Sequence, residues 1–355
     1  MSLLYRLAKP LFFSLDAEDA HNLSIKALKS GLLPAVKSEP DPILQSNVFG
    51  LDFPTPIGLS AGYDKNAEVL DPLAQLGFGF IEAGSVTPFA QAGNPKPRIF
   101  RMRADNAIVN RLGFNNQGLD VAAANFSSRK SPGIVGANLG ANKDSTDRMH
   151  DYVLGMQKLA PLADYVTVNI SSPNTPGLRS LHGKEELEEL LGRLHETRND
   201  LVSGGLRSFP ILLKIAPDLT DDDKADIAAA ALEYSLDGLI ISNTTISRPH
   251  SLQSKHAVEA GGLSGTPLKS ISLSVLKDMY RATSGKIPLI GVGGIETAED
   301  ALMRIKAGAS LLQLYTAMVY RGPYVAHDIG KGVAKLLRKQ GYSSITESVG
   351  VDTPL

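Results

Sequence analysis

The chain has 355 residues, 43% of them hydrophobic, and 36 basic against 37 acidic side chains leave a formal net charge of −1. That length and apolar content suffice for a full globular core, and the balanced charge provides no electrostatic footprint for nucleic acid. The complete lack of cysteine excludes disulfides, thiolate zinc sites, iron–sulfur ligation and a cysteine nucleophile, and the scattered histidines form no H-E-x-x-H pair, so no metal site is expected.

Residues 1 to 31 begin with Leu3, Leu4, Leu7, Leu11, Phe12, Phe13 and Leu15, with Arg6 and Lys9 among them. A second patterned stretch, Ala17 to Leu28, follows a cap signal at Asp16. These read as two short amphipathic helices, with Pro10 breaking or kinking the first. Their apolar side either packs on the protein or lies in a membrane interface, and periodicity alone does not choose between them. No run approaches the roughly 18 to 20 apolar residues of a membrane span. The early acids Asp16, Glu18 and Asp19 speak against a secretory or Arg-rich leader.

From Pro56 onward, short apolar runs alternate with helix-period segments. The strand candidates are 57–59, 80–83, 134–137, 165–168, 211–213, 239–241, 289–292 and 311–314. Among the helical segments, Leu187, Leu190, Leu191 and Leu194 are spaced i, i+3, i+4, i+7 beside Glu185, Glu186, Glu188 and Glu189, an amphipathic helix with a solvated acidic face. Eight strand–helix units with near-continuous apolar strands predict an α/β fold, a closed (β/α)8 TIM barrel. An open doubly wound sheet is the alternative, although no G-x-G-x-x-G or G-x-x-x-x-G-K-[ST] motif accompanies it. We divide the chain into a helical extension, 1–40, and a barrel, 41–355.

In a barrel, polar residues at the C-terminal strand ends are where chemistry sits. Here every end carries them: Ser60 to Lys65, Gly84 to Thr87, Asn138, Asn169 and the turn beyond it, Lys214, Ser242 to Thr245, Gly293-Gly294 and Tyr315-Thr316. Singly, each has a plain structural reading, a tight turn for the glycine pair or a helix cap for Asn243. Gly265, the glycine pair and the helix start at Thr316 provide backbone N–H groups where barrels bind phosphate. Lys214 at the rim calls for a salt bridge, an anionic ligand, or a ring that becomes anionic, such as the N1 and O2 region of a reduced flavin. Asn110, Asn169, Asn174 and Asn243 suit the edge of a flat cyclic amide, and Lys65 suits a carboxylate.

The segments 61–65, 84–88, 110–116, 168–179, 214–218, 242–245, 261–265 and 291–295 together resemble the dihydroorotate dehydrogenase family over nearly the whole chain. Within that family, a serine in the turn after strand four and an N-terminal helical extension mark the class 2, quinone-linked, membrane-associated members; class 1 uses cysteine there. Ser172 and the lack of cysteine point to class 2. The resemblance implies one FMN per chain, bound by Ala61, Gly62, Tyr63, Asp64, Lys65, Ser85, Asn138, Asn169, Lys214, Ser242, Gly265, Gly294, Tyr315 and Thr316. It implies (S)-dihydroorotate held by Lys65, Asn110, Arg111, Leu112, Gly113, Phe114, Asn169, Asn174, Asn243 and Thr244. Ser172 is the implied base, and Thr175 beside Phe114 is our candidate for passing the proton out. His21 and Arg101 are the implied contacts to the quinone, the second substrate. The same resemblance implies a peripheral protein on the cytoplasmic face of a bacterial inner membrane, active in pyrimidine biosynthesis as a monomer without an iron–sulfur partner subunit.

Three rival readings stay open at this point. A tRNA dihydrouridine synthase would bring a catalytic cysteine and a basic surface. A phosphate-binding barrel isomerase would not need Lys214 together with the Ser-Pro-Asn turn. A membrane-docking protein without catalysis would not need polar residues at every strand end. The polar tail from Gly341 onward leaves its own order undecided.

Overall fold

The computed structural model describes residues 3–131, 133–175 and 177–355; the side chains of Leu3 and Leu4, and Pro176 within the turn after strand four, lie outside the described residues. Eight parallel strands close into a barrel: β1 (Ile57–Leu59), β2 (Phe80–Val86), β3 (Ile134–Leu139), β4 (Tyr165–Asn169), β5 (Ile211–Ile215), β6 (Gly238–Ile241), β7 (Leu289–Val292) and β8 (Ala309–Leu314). They neighbour one another in chain order, and β8 returns to β1. All eight match the strands expected from the sequence, as does the acidic helix, which buries Leu187, Leu190, Leu191 and Leu194.

Strand alternation sends Phe80 and Glu82 of β2, and Tyr165, Thr167 and Asn169 of β4, to the barrel interior. Phe80 and Tyr165 pack there with Leu212, Ile240, Ile290 and Leu311, closed from below by Val48 and Phe53 of a small antiparallel hairpin, 46–53. Two glycines make room for the rings. A Cβ at Gly58 would lie 2.4 Å from the Phe80 ring, and one at Gly136 would lie 2.1 Å from that of Tyr165. Above this apolar floor the interior turns polar: Glu82, fully buried, accepts hydrogen bonds from Asn138 (2.7 Å), Gln313 (2.8 Å), Thr167 (3.0 Å) and Tyr165 (3.2 Å). Four donors on one carboxylate compensate its loss of water.

An antiparallel sheet of 99–102, 107–110 and 262–265 lies over the C-terminal end of the barrel. One face buries Phe100, Met102, Val109 and Leu263; the period of two leaves Ile99, Arg101, Ile108, Asn110 and Ser264 on the other.

The extension forms α1 (Leu3–Ser14) and α2 (Ala17–Lys29). Asp16 caps α2, accepting from the Glu18 N–H at 2.8 Å and from that of Asp19. Of the kink or break expected at Pro10, the break does not occur, and α1 runs through it. Pro10 and Arg6, whose carbonyl loses its helical partner, both lie on the exposed side, where water can take the bond. The end of α1 is also fastened from outside: Arg101 donates to the carbonyls of Phe12 (2.7 Å) and Leu15, Arg103 to that of Phe13, and Lys9 to that of Tyr320 (2.8 Å). The polar C-terminal tail is docked. Ile345, Ser348 and Thr353 are buried, and the N–H groups of Gly350 and Asp352 reach the carbonyls of Ile305 and Lys306.

Candidate active site

The barrel carries its strand-end residues into one cavity, under the antiparallel sheet. Its wall includes Ala61, Gly62, Lys65, Ser85, Asn169, Lys214, Ser242, Gly265, Gly294, Tyr315 and Thr316, and, further round, Asn110, Leu112, Gly113, Phe114, Ser172, Asn174, Asn243 and Thr244. The register that pairs Asn169 of β4 with Lys214 of β5 sets these two side by side.

Lys214 is buried, and its ammonium reaches only the Ser60 hydroxyl, at 3.2 Å, with no ion-pair partner among the described residues. Burial pulls its pKa down, and the Glu82 carboxylate below works against that shift. Gln313, on the wall of the same cavity, donates to Glu82, yet its own Oε1 is buried without a partner among the described residues. An under-partnered cation and an unused amide acceptor on one cavity wall fit a flat heterocycle offering both acceptors and a donor. At the far end, Gly265, Gly293 and Gly294 hold φ of 93°, 104° and 67°, and a Cβ at Gly294 would come within 2.7 Å of Lys269. Glycine is required for backbone to line this end so closely, as a phosphate cradle needs. The residues present therefore fit a flavin bearing a phosphate.

The asparagines interlock. Asn169 donates to Ser85 (3.0 Å) and Asn138 (3.3 Å), and its oxygen accepts from the Ser171 hydroxyl (2.9 Å) and from Asn243 (3.4 Å). Asn174 donates to Asn110 at 3.3 Å, and the Thr244 N–H fixes the Asn243 oxygen at 2.8 Å. Four amides, two from the β4 end and one each from the ends of β6 and of 107–110, are thus oriented before any ligand arrives. The Lys65 ammonium donates to the Gly62 carbonyl at 2.7 Å, and burial pulls its pKa down to about 8, against the opposing pull of Glu18 and Asp64. Ser172 is buried, its Oγ accepting from the Asn174 N–H at 3.3 Å. Nearby in the chain, Thr175 Oγ1 is buried without a partner among the described residues.

Five of the expected residues stand apart from the cavity wall. Asp64 turns inward, accepting from the N–H groups of Glu68 (2.7 Å) and Val69 (2.8 Å), so it builds the turn. Tyr63 faces the extension, bonded to Ser24 at 2.9 Å. Arg111 points away, paired with Glu259 at 2.8 Å and stacked 4.5 Å from the Phe100 ring centroid. Asn138 lies one layer below and orients Ser85 and Asn169. Thr175, on the same turn as Ser172, is buried and does not line the cavity. Conversely, Asn115, Ser264 and Gln313 line the cavity without having been assigned a role from the sequence, and Ser60, which also lines it, had been noted only as a polar strand end. Of the first three, only Gln313 had a signal, a polar residue at an inward position of an apolar strand.

A second cavity, of about 430 Å³, runs between the extension and the barrel, lined among others by Phe12, Ala20, Leu28, Tyr63, Ile99 and Met318. His21 and Arg101 are both on its wall. The His21 ring packs edge-on against Tyr63 at 5.2 Å, and burial, with Lys65 adding to it, pushes its pKa down to about 3, so it is neutral. Tyr315, Ile99 and Ile108 belong to both cavities, which therefore meet there.

Residues 43–337 match the family model described as dihydroorotate dehydrogenase. A curated protein of Rhodospirillum rubrum named "Dihydroorotate dehydrogenase (quinone)" is 53% identical over 98% of this chain and 94% of its own length. One of the same name from Azorhizobium caulinodans is 49% identical over 98% and 99%. Among solved structures, dihydroorotate dehydrogenase from Eimeria tenella in complex with ferulenol superposes with a TM-score of 0.90 at 42% identity, covering 94% of this chain and 95% of that one. The ligand-free type from the same organism gives 0.91 at 41% identity, covering 96% and 100%.

Proposed function

The chain belongs to the dihydroorotate dehydrogenase family, and from that premise we propose that it oxidises (S)-dihydroorotate to orotate in pyrimidine biosynthesis, with FMN as first electron acceptor and a membrane quinone as second. The observation that carries the assignment to this site is the buried Lys214, which has no ion-pair partner among the described residues and shares one cavity wall with Ser172 and with Gln313, whose oxygen has no partner among those residues.

Lys214 and Gln313 would hold the polar edge of the flavin ring, Ala61 and Ser85 its other edge, and the backbone at Gly265, Gly294 and Thr316 its phosphate. The chemistry a bound flavin would supply there is acceptance of the hydride from C6 of dihydroorotate and onward transfer of the electron pair to a quinone. Asn110, Asn174, Asn243 and Thr244 orient the substrate's amide edges, with Lys65 on its carboxylate. Ser172 removes the C5 proton. A serine hydroxyl is a weak base, so it needs donors that stabilise charge as it develops; the Asn174 N–H on its Oγ is one. The unused Thr175 hydroxyl, with Phe114 walling off the cavity, is our candidate to take the proton onward through a water.

Purified protein should be yellow, bleach on anaerobic addition of dihydroorotate, and regain colour on addition of a short-chain quinone. A colourless protein, or one indifferent to dihydroorotate, rejects the assignment and favours an isomerase or docking role.

The charge on Lys65 sets a pH dependence. Its pKa of about 8 means that a carboxylate ligand meets the ammonium at lower pH and loses it above. Affinity for orotate should therefore be full at neutral pH and fall towards tenfold per unit beyond about pH 8. Titration calorimetry of orotate between about pH 6.5 and 9.5 measures this, and Lys65→Met should flatten the profile at the weak limit; an unchanged profile removes Lys65 from the carboxylate.

We read residues 1–40 as the quinone-docking unit and 41–355 as the catalytic barrel. The apolar cavity supports this, as do Leu7, Leu11 and Leu32, 73%, 62% and 76% exposed on the same extension. No described helix is long and apolar enough to cross a membrane, consistent with peripheral attachment, which we assign to the cytoplasmic face of a bacterial inner membrane for a monomeric enzyme. Leu7→Glu with Leu11→Glu should reduce co-sedimentation with anionic vesicles about tenfold or more, while the rate with a soluble dye acceptor stays as it was. Undiminished co-sedimentation would assign these leucines another role.

A further inference from the structure

Behind the double-glycine turn lies a buried charge that the reaction does not use. Arg304, on the helix Ala298–Lys306 that follows β7, is 1% exposed. Its Nη2 donates to the Gly293 carbonyl, to the Lys269 carbonyl at 3.1 Å and to the Ser272 hydroxyl at 3.0 Å, and its Nη1 has no partner among the described residues. No carboxylate forms an ion pair with it among the described residues; the neighbouring Asp300 is engaged by Lys269 at 2.7 Å. A guanidinium in this setting normally acquires an anion, and the nearest anion requirement is the cradle on the other side of the turn.

The peptide unit supplies the connection. The Gly293 carbonyl and the Gly294 N–H belong to one planar, trans group and point in opposite directions. Fixing the carbonyl on Arg304 aims the N–H away from Arg304, towards the cavity that Gly294 lines. The same bond polarises the peptide and makes that N–H a stronger donor. Arg304 also donates to the carbonyl of Lys269, the first residue of the helix Lys269–Ala282 packed against Gly294. Burial lowers the guanidinium's pKa only to about 10, so the charge persists at neutral pH.

We propose that Arg304 is a positioning residue for the cofactor's phosphate: it aims the Gly294 N–H and provides the cradle with a positive charge at one remove, without touching the ligand. This rests on the FMN reading of the site. Its mark is selectivity between FMN and riboflavin, which share the ring and differ in the phosphate.

The test is displacement of bound FMN from the holoprotein, followed by flavin fluorescence, with FMN and riboflavin as separate competitors. In Arg304→Met, FMN should bind about tenfold more weakly while riboflavin binds as in the parent. Equal weakening of both flavins would make Arg304 a structural strut only, and no weakening of either would leave it without a role; each overturns the proposal. If Arg304→Met does not fold, Arg304→Lys decides. It keeps a charge but cannot reach all three acceptors, so FMN should weaken by about two- to threefold with riboflavin unmoved, and any other pattern rejects the proposal. A parent protein that binds neither flavin would refute the FMN reading itself, a result distinct from all of these.

Discussion

Ser172→Ala slows anaerobic reduction of the bound flavin by dihydroorotate about 10² to 10⁴-fold, the usual cost of losing a general base, and leaves the protein yellow. The two halves of that result have separate physical origins. Ser172 lies on the turn beyond β4, and among the described residues its side chain is hydrogen-bonded to the Asn174 N–H and to none of the groups assigned to the ring edge or the phosphate. Removing the hydroxyl thus removes the proton acceptor and spares the cofactor site. Stopped-flow absorbance with excess dihydroorotate gives the rate, and a bound-flavin spectrum taken beforehand gives the occupancy. Near-parent single-turnover kinetics would show that another group, or water, removes the C5 proton. Thr175→Ala should have a smaller effect of the same kind, about tenfold, because water can replace a hydroxyl that has no other partner. An unaltered rate of flavin reduction would end the relay.

Deleting residues 1–31 cuts quinone reduction by about 10²-fold or more, as expected when the surface that positions a reactant is removed, and abolishes vesicle binding, while flavin reduction by dihydroorotate survives. One wall of the apolar cavity is made of α1 and α2, and without them the Tyr315 end of the flavin cavity opens to water. The deletion is not free of cost to the barrel. Glu18 of α2 accepts from Arg98 at 2.8 and 3.0 Å, and Arg98 also holds the Ala92 and Asn94 carbonyls, next to the Asn94 amide that reaches Asn174. Truncation unpairs Arg98 but also exposes it, so its charge is hydrated rather than stranded. The substrate loop should loosen modestly, raising the KM for dihydroorotate within about tenfold. The discriminating measurement is paired: rates with a short-chain quinone and with a soluble dye. If both vanish with the fold, the extension is a packing element; if both persist, the quinone site lies elsewhere.

The legible parts of this molecule are those where one-dimensional pattern and three-dimensional environment coincide. Strands buried on both faces read as unbroken apolar runs, so all eight barrel strands could be found, and their polar ends with them. The strands at 46–48, 51–53, 99–102, 107–110 and 262–265 were invisible because each is three or four residues long, and one pairing, of 262–265 with 107–110, spans more than a hundred residues of intervening chain. Within the site, identity was readable and direction was not. Asp64, Tyr63 and Arg111 sit in the expected segments, yet local backbone turns them to the Glu68 and Val69 amides, to Ser24 and to Glu259. Glu82 was passed over as part of a strand, since nothing in its neighbours announces four donors arriving from three other strands. A break at Pro10 fails to appear for a related reason: the rule against mid-helix proline presumes that the freed carbonyl has nowhere to go.

The two interior glycines bear on how such a barrel can drift. With the Phe80 ring against Gly58 and the Tyr165 ring against Gly136, no side chain can enter at 58 or 136 unless the facing ring has already shrunk, and a shrunken ring leaves a void until the glycine is filled. Each pair can change only through an intermediate worse than either end. A lineage carrying this floor should keep both partners or exchange both, so that the aromatic and the glycine travel together as one heritable unit although more than twenty positions separate them in the chain.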